Sequence, residues 1–217
     1  MRDNKPFETN YFLDYYKNYR NNKEDLFDSE KYFFEKLDFH KKNILDVGCA
    51  KGGLYNMISD IESEFEYTGI DFSAKMIEAA KEQNQGVKFL QKDAKKTGFK
   101  NNSFDIVIAL GVFVHEKDWL ALLKELLRIT KKQLFFDIRL TNYKTVNDVK
   151  KSYVLDGAKI KYPYVIINKD DFNSKLKSSI LFSKKINEYG YNGKPNEFVK
   201  CGKEYENIEI KTFLINK

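Results

Sequence analysis

The sequence predicts an α/β fold, a mostly parallel sheet covered by helices on both faces. Three observations carry that expectation. Ile44 to Val47 is a short apolar run that passes directly into a glycine-rich turn, Gly48-Cys49-Ala50-Lys51-Gly52-Gly53. Short apolar runs then alternate with helical patterns as far as residue 138, the rhythm of strand, crossover helix and next parallel strand. The second of those runs, Tyr67 to Ile70, ends on Asp71, nineteen residues beyond Gly52. In a βαβ unit that distance brings a carboxylate beside the turn.

The elements follow in order. Residues 10–38 carry Tyr15, Tyr16, Tyr19, Phe27, Tyr32, Phe33, Phe34 and Leu37 at helix-compatible spacings, and predict two helices over a ligand cleft. Next come strand 43–47, helix 52–60, strand 66–70, helix 73–83, strands 87–91 and 104–109, helix 117–130 and strand 132–138. Ser73 suits the N-cap of the helix that holds Met76, Ile77 and Ala80. Beyond residue 141, Tyr162 to Asn168 reads as β, Asp170 to Ser179 as helix, and Ile180 to Tyr191 and Ile208 to Ile215 as late strands. Asn192-Gly193-Lys194-Pro195 supplies turn chemistry between the last two. Ligands of open parallel sheets lie beyond the carboxyl ends of the strands, so Asp46, Asp71, Asp93 and Leu110 to His115 converge on one edge.

The turn discriminates between nucleotides. A dinucleotide site uses Gly-x-Gly-x-x-Gly to approach a pyrophosphate, whereas this turn runs Asp46-x-Gly48-x-Ala50-x-Gly52, with an acid first. A carboxylate there repels phosphate and attracts an ammonium or sulfonium group, which favours S-adenosylmethionine (SAM) over NAD. On these residues the chain resembles the class I SAM-dependent methyltransferases, a Rossmann-like superfamily whose first motif is commonly Asp/Glu-x-Gly-x-Gly-x-Gly and whose second strand ends in an acid. Asp93-Ala94 resembles the family's acidic residue and small neighbour beside the adenine, Ser103 to Ala109 its fourth strand, and Val112-Phe113-Val114-His115 a common Val-Leu-Glu-His continuation. The resemblance spans roughly residues 40–140 and departs at Ala50, in place of the middle glycine, and at Val114, in place of the glutamate.

The resemblance implies a seven-stranded sheet with an antiparallel C-terminal edge strand, and SAM as cofactor. It places cofactor contacts at Asp46, Gly48, Cys49, Ala50, Gly52, Asp71, Phe72, Met76, Asp93, Ala94 and Leu110, with Asp71 on the ribose hydroxyls. Tyr19 and Arg20 are expected to close over the cofactor, Arg20 pairing with its carboxylate; ordinary core packing is the alternative for the aromatic stripe that includes Tyr19. One domain over 1–217 is expected: a helical cap (1–40), a SAM-binding core (41–140) and a substrate-binding extension (141–217).

Methyl transfer is an in-line displacement in which orientation can supply about 7 to 11 kcal/mol, so catalytic side chains need not be conspicuous. A hydroxyl acceptor is helped by a general base, and His is suited to that near neutral pH. His40, among Lys41 and Lys42, reads as a solvated boundary residue; His115 follows the fourth strand, where the acceptor belongs, as either the base or a structural hydrogen-bonder. Asp137 and Arg139 end the fifth strand as a substrate contact or an ion pair. Cys49 and Cys201 form no disulfide or metal framework, and no carboxylate pair calls for a metal.

No apolar run approaches the roughly 18 residues of a membrane helix, and Met1 to Lys5 leads into no signal-peptide core. A cytoplasmic location without a membrane partner is expected. The net charge of +6 is spread rather than clustered, and Ala109-Leu110-Gly111-Val112 differs from the Asp/Asn-Pro-Pro-Tyr of amino-methylating DNA enzymes, so nucleic acid is disfavoured. The leading expectation is O-methylation of a small polar metabolite such as a sugar or sugar-derived precursor. Methylation of RNA, DNA or protein ranks second, and a SAM-binding protein without transfer activity third. Oligomeric state is left open.

Overall fold

Apolar runs bounded by turn residues become the strands of the sheet, and the amphipathic stretches between them become its covering helices. The computed structural model describes residues 13–16, 20–155, 159–179, 185–195 and 197–217. Residues 13–16 are helical, a 3-10 turn covers Lys23–Asp25, and α1 follows at Asp28–Phe34. The core then runs β1 (Asn43–Val47), α2 (Gly53–Ser59), β2 (Glu66–Asp71), α3 (Ala74–Gln83), β3 (Lys88–Gln91), β4 (Phe104–Ala109), α4 (Trp119–Ile129) and β5 (Thr130–Thr141). The five strands pair in parallel in the order β3-β2-β1-β4-β5. Ser73 caps α3 as expected, its hydroxyl accepting from the Met76 N–H at 3.2 Å.

Both faces of this sheet are buried, as parallel sheets require, and the period of two along each strand sorts the core into two layers. Leu45, Val47, Val107, Ala109, Leu134 and Phe136 pack on one face with Leu122, Leu123 and Leu126 of α4. Ile44, Ile106, Ile108 and Phe135 face the other way, against Phe33 and Phe34 of α1, Met57 and Ile58 of α2, and Ile77 and Ala80 of α3.

The second half adds β6 (Tyr153–Leu155), β7 (Lys161–Pro163), β8 (Ile167–Asn168), α5 (Lys169–Ser179), β9 (Lys185–Gly193), β10 (Val199–Lys200) and β11 (Ile208–Asn216). β11 runs antiparallel to β5, as expected of the C-terminal strand, but β9 pairs along its other side, so β9 forms the outer edge of the seven-strand path. Asn192 and Gly193, expected in a turn, stay in that ladder opposite Glu209 and Ile208. β5 is longer than the expected 132–138 because β11 and β8 extend its pairing to Thr141.

A second, three-stranded antiparallel sheet, β10-β6-β7, was not expected. Its strands are two or three residues long, too short to show a periodicity. It is tied to the main sheet by the Val165 N–H, which donates to the Val114 carbonyl at 2.7 Å.

β11 locks the late elements to the core through Phe213, which is fully buried, stacks on Phe136 at 5.3 Å and meets Phe172 of α5 at 5.2 Å. Phe213→Ala is expected to cost about 3–5 kcal/mol, read as a lower urea midpoint with an unchanged slope. A loss below about 1 kcal/mol would mean that this ring is dispensable to the core.

Candidate active site

The glycine corner after β1 is built by backbone hydrogen bonds to the end of β2. The N–H groups of Gly48 and Cys49 both donate to the Ile70 carbonyl, at 2.8 and 3.0 Å. The Ala50 N–H donates to Asp71 Oδ2 at 3.1 Å, while Asp71 Oδ1 accepts from the Ser73 N–H at 2.9 Å. One carboxylate thus ties the first turn to the start of α3. The turn needs left-handed backbone at Gly48 (φ +73°) and Gly52 (φ +83°), where a Cβ would also fall 2.7 Å from Val112 Cγ2 or Asn84 Nδ2. Ala50 adopts φ +45° without being glycine, at a cost of about 1–2 kcal/mol.

Two cavities open over this corner. The larger, about 310 Å³, is lined by Asp46, Cys49 and Lys51 from the corner, by Tyr16, Arg20 and Phe27 from the N-terminal segment, and by Arg139, Val154, Tyr164, Lys194, Phe198 and Ile210 from later elements. The smaller, about 70 Å³, is lined by Asp71, Phe72, Met76, Lys92 and Ala94. Tyr16, Gly48, Ala50, Leu110, Gly111 and His115 line both.

Most residues singled out in the sequence therefore come together. Asp46, Gly48, Cys49, Ala50, Leu110 and Arg20 stand around the larger cavity, and Asp71, Phe72, Met76 and Ala94 around the smaller. Gly52 lines neither and shapes the turn as the N-cap of α2. Asp93 also lines neither; it is exposed beyond β3, and its carboxylate accepts from the Lys95 N–H at 2.9 Å. Tyr19 lies outside the described residues. His40 is exposed, with Nδ1 3.2 Å from Glu62 Oε2, in keeping with a solvated boundary.

Charge is unevenly placed here. Burial pushes the Asp46 carboxyl up to about 7; the Tyr67 hydroxyl, which donates to its Oδ2 at 2.5 Å, offsets part of that rise, and neighbouring Asp71 adds to it. Burial likewise raises the Cys49 thiol well above its usual range, which suits a small turn residue and not a nucleophile. The Arg20 guanidinium does reach the larger cavity, but both terminal nitrogens are taken by buried Glu30, at 2.8 and 2.9 Å. Arg139 Nη1 donates to Asp137 Oδ2 at 2.7 Å, and Asp137 Oδ1 accepts from the Gly111 N–H at 2.5 Å. Burial opposes the Arg139 charge, yet Asp137 and its neighbours raise its pKa on balance.

His115 sits in a 3-10 turn after β4 with Nδ1 2.9 Å from the Pro163 carbonyl. A carbonyl only accepts, so the proton belongs on Nδ1 and Nε2 is the basic nitrogen of the neutral ring. Sequence reasoning missed Glu30, which anchors Arg20 from ten residues away, beyond the reach of any helical pairing signal. It placed Gly111 at the ligand edge, within Leu110 to His115, but gave no role to its N–H, which fixes Asp137. Among the described residues no group of three His, Cys, Asp or Glu side chains is gathered to hold a metal, and no helix is long and apolar enough to cross a membrane.

With this geometry in view, the similarities to known proteins fall into place. Residues 45–136 match the family described as Methyltransferase domain. Demethylmenaquinone methyltransferase of Staphylococcus aureus (strain MRSA252) is 35% identical over 115 residues, 51% of this chain and 48% of the relative, so the chain spans about half the length of the curated relatives it matches. Two solved structures are similar in fold. A putative S-adenosylmethionine-dependent methyltransferase from Listeria monocytogenes has a TM-score of 0.62 at 15% identity, covering 87% of this chain and 98% of that one. An N-methyltransferase from Haemonchus contortus, in complex with phosphomonomethylethanolamine and S-adenosylhomocysteine, has a TM-score of 0.62 at 16% identity, covering 89% of this chain and 53% of that one. The fold is that of the class I methyltransferases, enzymes whose cofactor is S-adenosylmethionine.

The raised pKa of Asp46 makes a signed prediction. Its folded value, about 7, lies above the ordinary 3.8, so the folded chain holds this proton more tightly. The cost of ionising Asp46 is therefore absent below about pH 4 and complete above about pH 7. Asp46→Asn keeps an acceptor for the Tyr67 hydroxyl and removes the charge. Its Tm is expected to exceed that of the parent above about pH 7 and to lose that advantage as pH falls toward about 4. A Tm difference that does not change with pH is the contrary result of a thermal-melt series.

Proposed function

We propose that this chain transfers the methyl group of SAM to a hydroxyl of a small polar metabolite, such as a sugar or sugar-derived precursor. The observation that carries this reading is the meeting of two cavities at Gly48, Ala50, Leu110, Gly111 and His115. One holds the acid at the tip of β2; the other is roofed by side chains from the second half of the chain. SAM lies across the junction, with its ribose at Asp71, its adenosine toward Phe72, Met76 and Ala94, and its methionine end toward Asp46 and Gly48. Asp71 is preorganised for that task, since two backbone N–H groups already fix its orientation. Asp93 contributes at the rim. Cys49 and Gly52 serve by shaping the turn.

The acceptor occupies the larger cavity. An oxygen lone pair attacks the methyl carbon from the side opposite sulfur, the carbon–sulfur bond breaks as the carbon–oxygen bond forms, and the sulfonium becomes the neutral thioether of S-adenosylhomocysteine. The hydroxyl proton passes to His115 Nε2 and from there to water. The chain's part in this is chiefly alignment and exclusion of water, for which Tyr16, Phe27, Val154 and Phe198 supply the walls.

The relative named for a quinone substrate does not decide the acceptor. The Methyltransferase domain match ends at residue 136, whereas Arg139, Val154, Tyr164, Lys194, Phe198 and Ile210 line the cavity from beyond it. Polar tips on that wall favour a polar acceptor. Spread rather than clustered basic residues support a small molecule over nucleic acid, and a cytoplasmic location suits both cofactor and acceptor.

The reading is tested by calorimetric titration with SAM, with S-adenosylhomocysteine and with NAD as control, followed by a screen of hydroxylated acceptors for S-adenosylhomocysteine release. One-to-one binding of the adenosyl sulfur compounds alone is expected; NAD binding, or no binding, would sink it. Asp71→Ala is expected to weaken SAM binding by about 1.5–3 kcal/mol, the worth of charge-assisted hydrogen bonds, and unchanged affinity would remove Asp71 from the site. His115→Asn keeps a donor for the Pro163 carbonyl and deletes the base. It is expected to lower turnover on the order of 100-fold with SAM affinity intact; equal turnover would reduce His115 to a tether for β7.

A further inference from the structure

Four fixed cations, Arg20, Lys51, Arg139 and Lys194, line the larger cavity against one acid, Asp46, among the described residues. The two arginines differ in how they are held. Arg20 closes its fork on both oxygens of Glu30. Arg139 donates from Nη1 to Asp137 at 2.7 Å and to the Ile138 carbonyl at 3.5 Å, and it also hydrogen-bonds the Tyr164 hydroxyl. Asp137 meets Arg139 through one oxygen, and its other oxygen accepts from the Gly111 N–H. A guanidinium carries five N–H donors. Asp137 therefore neutralises Arg139 through one of those donors, and the Tyr164 hydroxyl, which accepts from the guanidinium, carries an O–H of its own beside it.

Strand order sets the backbone of Arg139 apart from the cofactor corner. β4 lies between β1 and β5, so Arg139 stands two strand spacings, roughly 10 Å, from the Asp46 strand. Arg139 also lies three residues beyond Phe136, the last residue of β5 paired to β4. The Tyr164 hydroxyl sits beside the Arg139 guanidinium on the same wall, and exposed Lys194 stands at the rim. Phe27 lies against both guanidinia, 5.3 Å from Arg20 and 5.4 Å from Arg139, and walls the site from one side.

We infer that the acceptor is an oxyanion, a hydroxylated carboxylate or a hydroxylated phosphoryl ester, whose charged group is held by Arg139 and Tyr164 with Lys194 at the rim. This rests on reading the larger cavity as the acceptor site. An anionic group meets the guanidinium, the tyrosine hydroxyl and a rim ammonium with charge-assisted hydrogen bonds, which a neutral sugar does not. The anchored end fixes how far into the cavity the reacting hydroxyl stands, so Arg139 determines both which molecule enters and which of its oxygens meets the methyl group.

The test uses inorganic phosphate on the full chain, with and without saturating S-adenosylhomocysteine, followed by the Arg139 Nε–H signal in proton–nitrogen spectra and assigned by its loss in Arg139→Lys. Saturable movement of that signal in the S-adenosylhomocysteine-loaded protein is expected. Arg139→Lys, which keeps a cation for Asp137 but not the planar fork, should weaken phosphate binding about tenfold with S-adenosylhomocysteine affinity unchanged. Lys194→Ala, at an exposed position, should weaken it by a smaller factor. No saturable shift, or equal phosphate binding in Arg139→Lys, overturns the proposal. Phosphate binding that S-adenosylhomocysteine abolishes also overturns it, by assigning Arg139 to the cofactor's carboxylate. Failure to bind S-adenosylhomocysteine is a separate outcome: it removes the methyl-transfer reading, and the phosphate titration of the unliganded chain still decides whether Arg139 is an oxyanion site.

Discussion

The double engagement of Asp71 is the constraint on which the rest of the site depends. A strand end, a left-handed turn and a helix start all need partners for backbone N–H groups that regular structure leaves unpaired. Asp71 supplies two of them, one oxygen to Ala50 and the other to Ser73. The Ile70 carbonyl supplies another by accepting from Gly48 and Cys49 together. The tips of β1 and β2 are thereby fixed to each other at the edge where ligands of parallel sheets bind. The residue that holds the corner rigid is also the one proposed to meet a ribose, and under that proposal cofactor recognition and local folding share one carboxylate.

The opposite wall is held by charge. Glu30 on α1 and Asp137 on β5 each neutralise an arginine that faces the larger cavity, and the Gly111 N–H closes the second pair. Buried ion pairs gain little over well-packed apolar groups, since desolvation consumes most of the attraction. Their presence here is better explained by what they position: Arg20 draws the N-terminal segment over the corner, and Asp137 ties the loop after β4 to β5. That loop carries Leu110, Gly111 and His115, the junction residues. The roof of the site and the switch from β4 to α4 are thus fixed by the same buried charges.

What the sequence made legible follows the range of the interactions. The five parallel strands, the capping Ser73 and the acid at the end of β2 were readable because each is encoded in a handful of contiguous residues, by apolar periodicity, a cap or a turn. Asp46, Asp71 and the junction residues Leu110 and His115 came from the same local rules. The β10-β6-β7 sheet, the outer place of β9 and the extension of β5 depend on pairings between segments up to tens of residues apart, where two- and three-residue strands leave no pattern. Glu30 is the sharpest case. Within its own helix it looks like one more surface acid beside Ser29 and Lys31; only the folded chain, with Arg20 brought against it, explains a fully buried carboxylate.

The electrostatics of Asp46 connect stability to the proposed chemistry. Its charge is held back by burial and by Asp71, so ionising it near neutrality costs stability. In the proposed complex a ligand bearing an ammonium and a sulfonium would favour the ionised form and draw the proton off, so by linkage its affinity would rise with pH up to about 7 and level off above it. Methyl transfer then discharges the sulfonium while the ammonium remains. S-adenosylhomocysteine would then give the carboxylate one cation fewer to pair with than SAM does. On the proposed reading, the burial that makes ionised Asp46 costly also heightens its response to the cofactor's charge, a difference that favours SAM over S-adenosylhomocysteine.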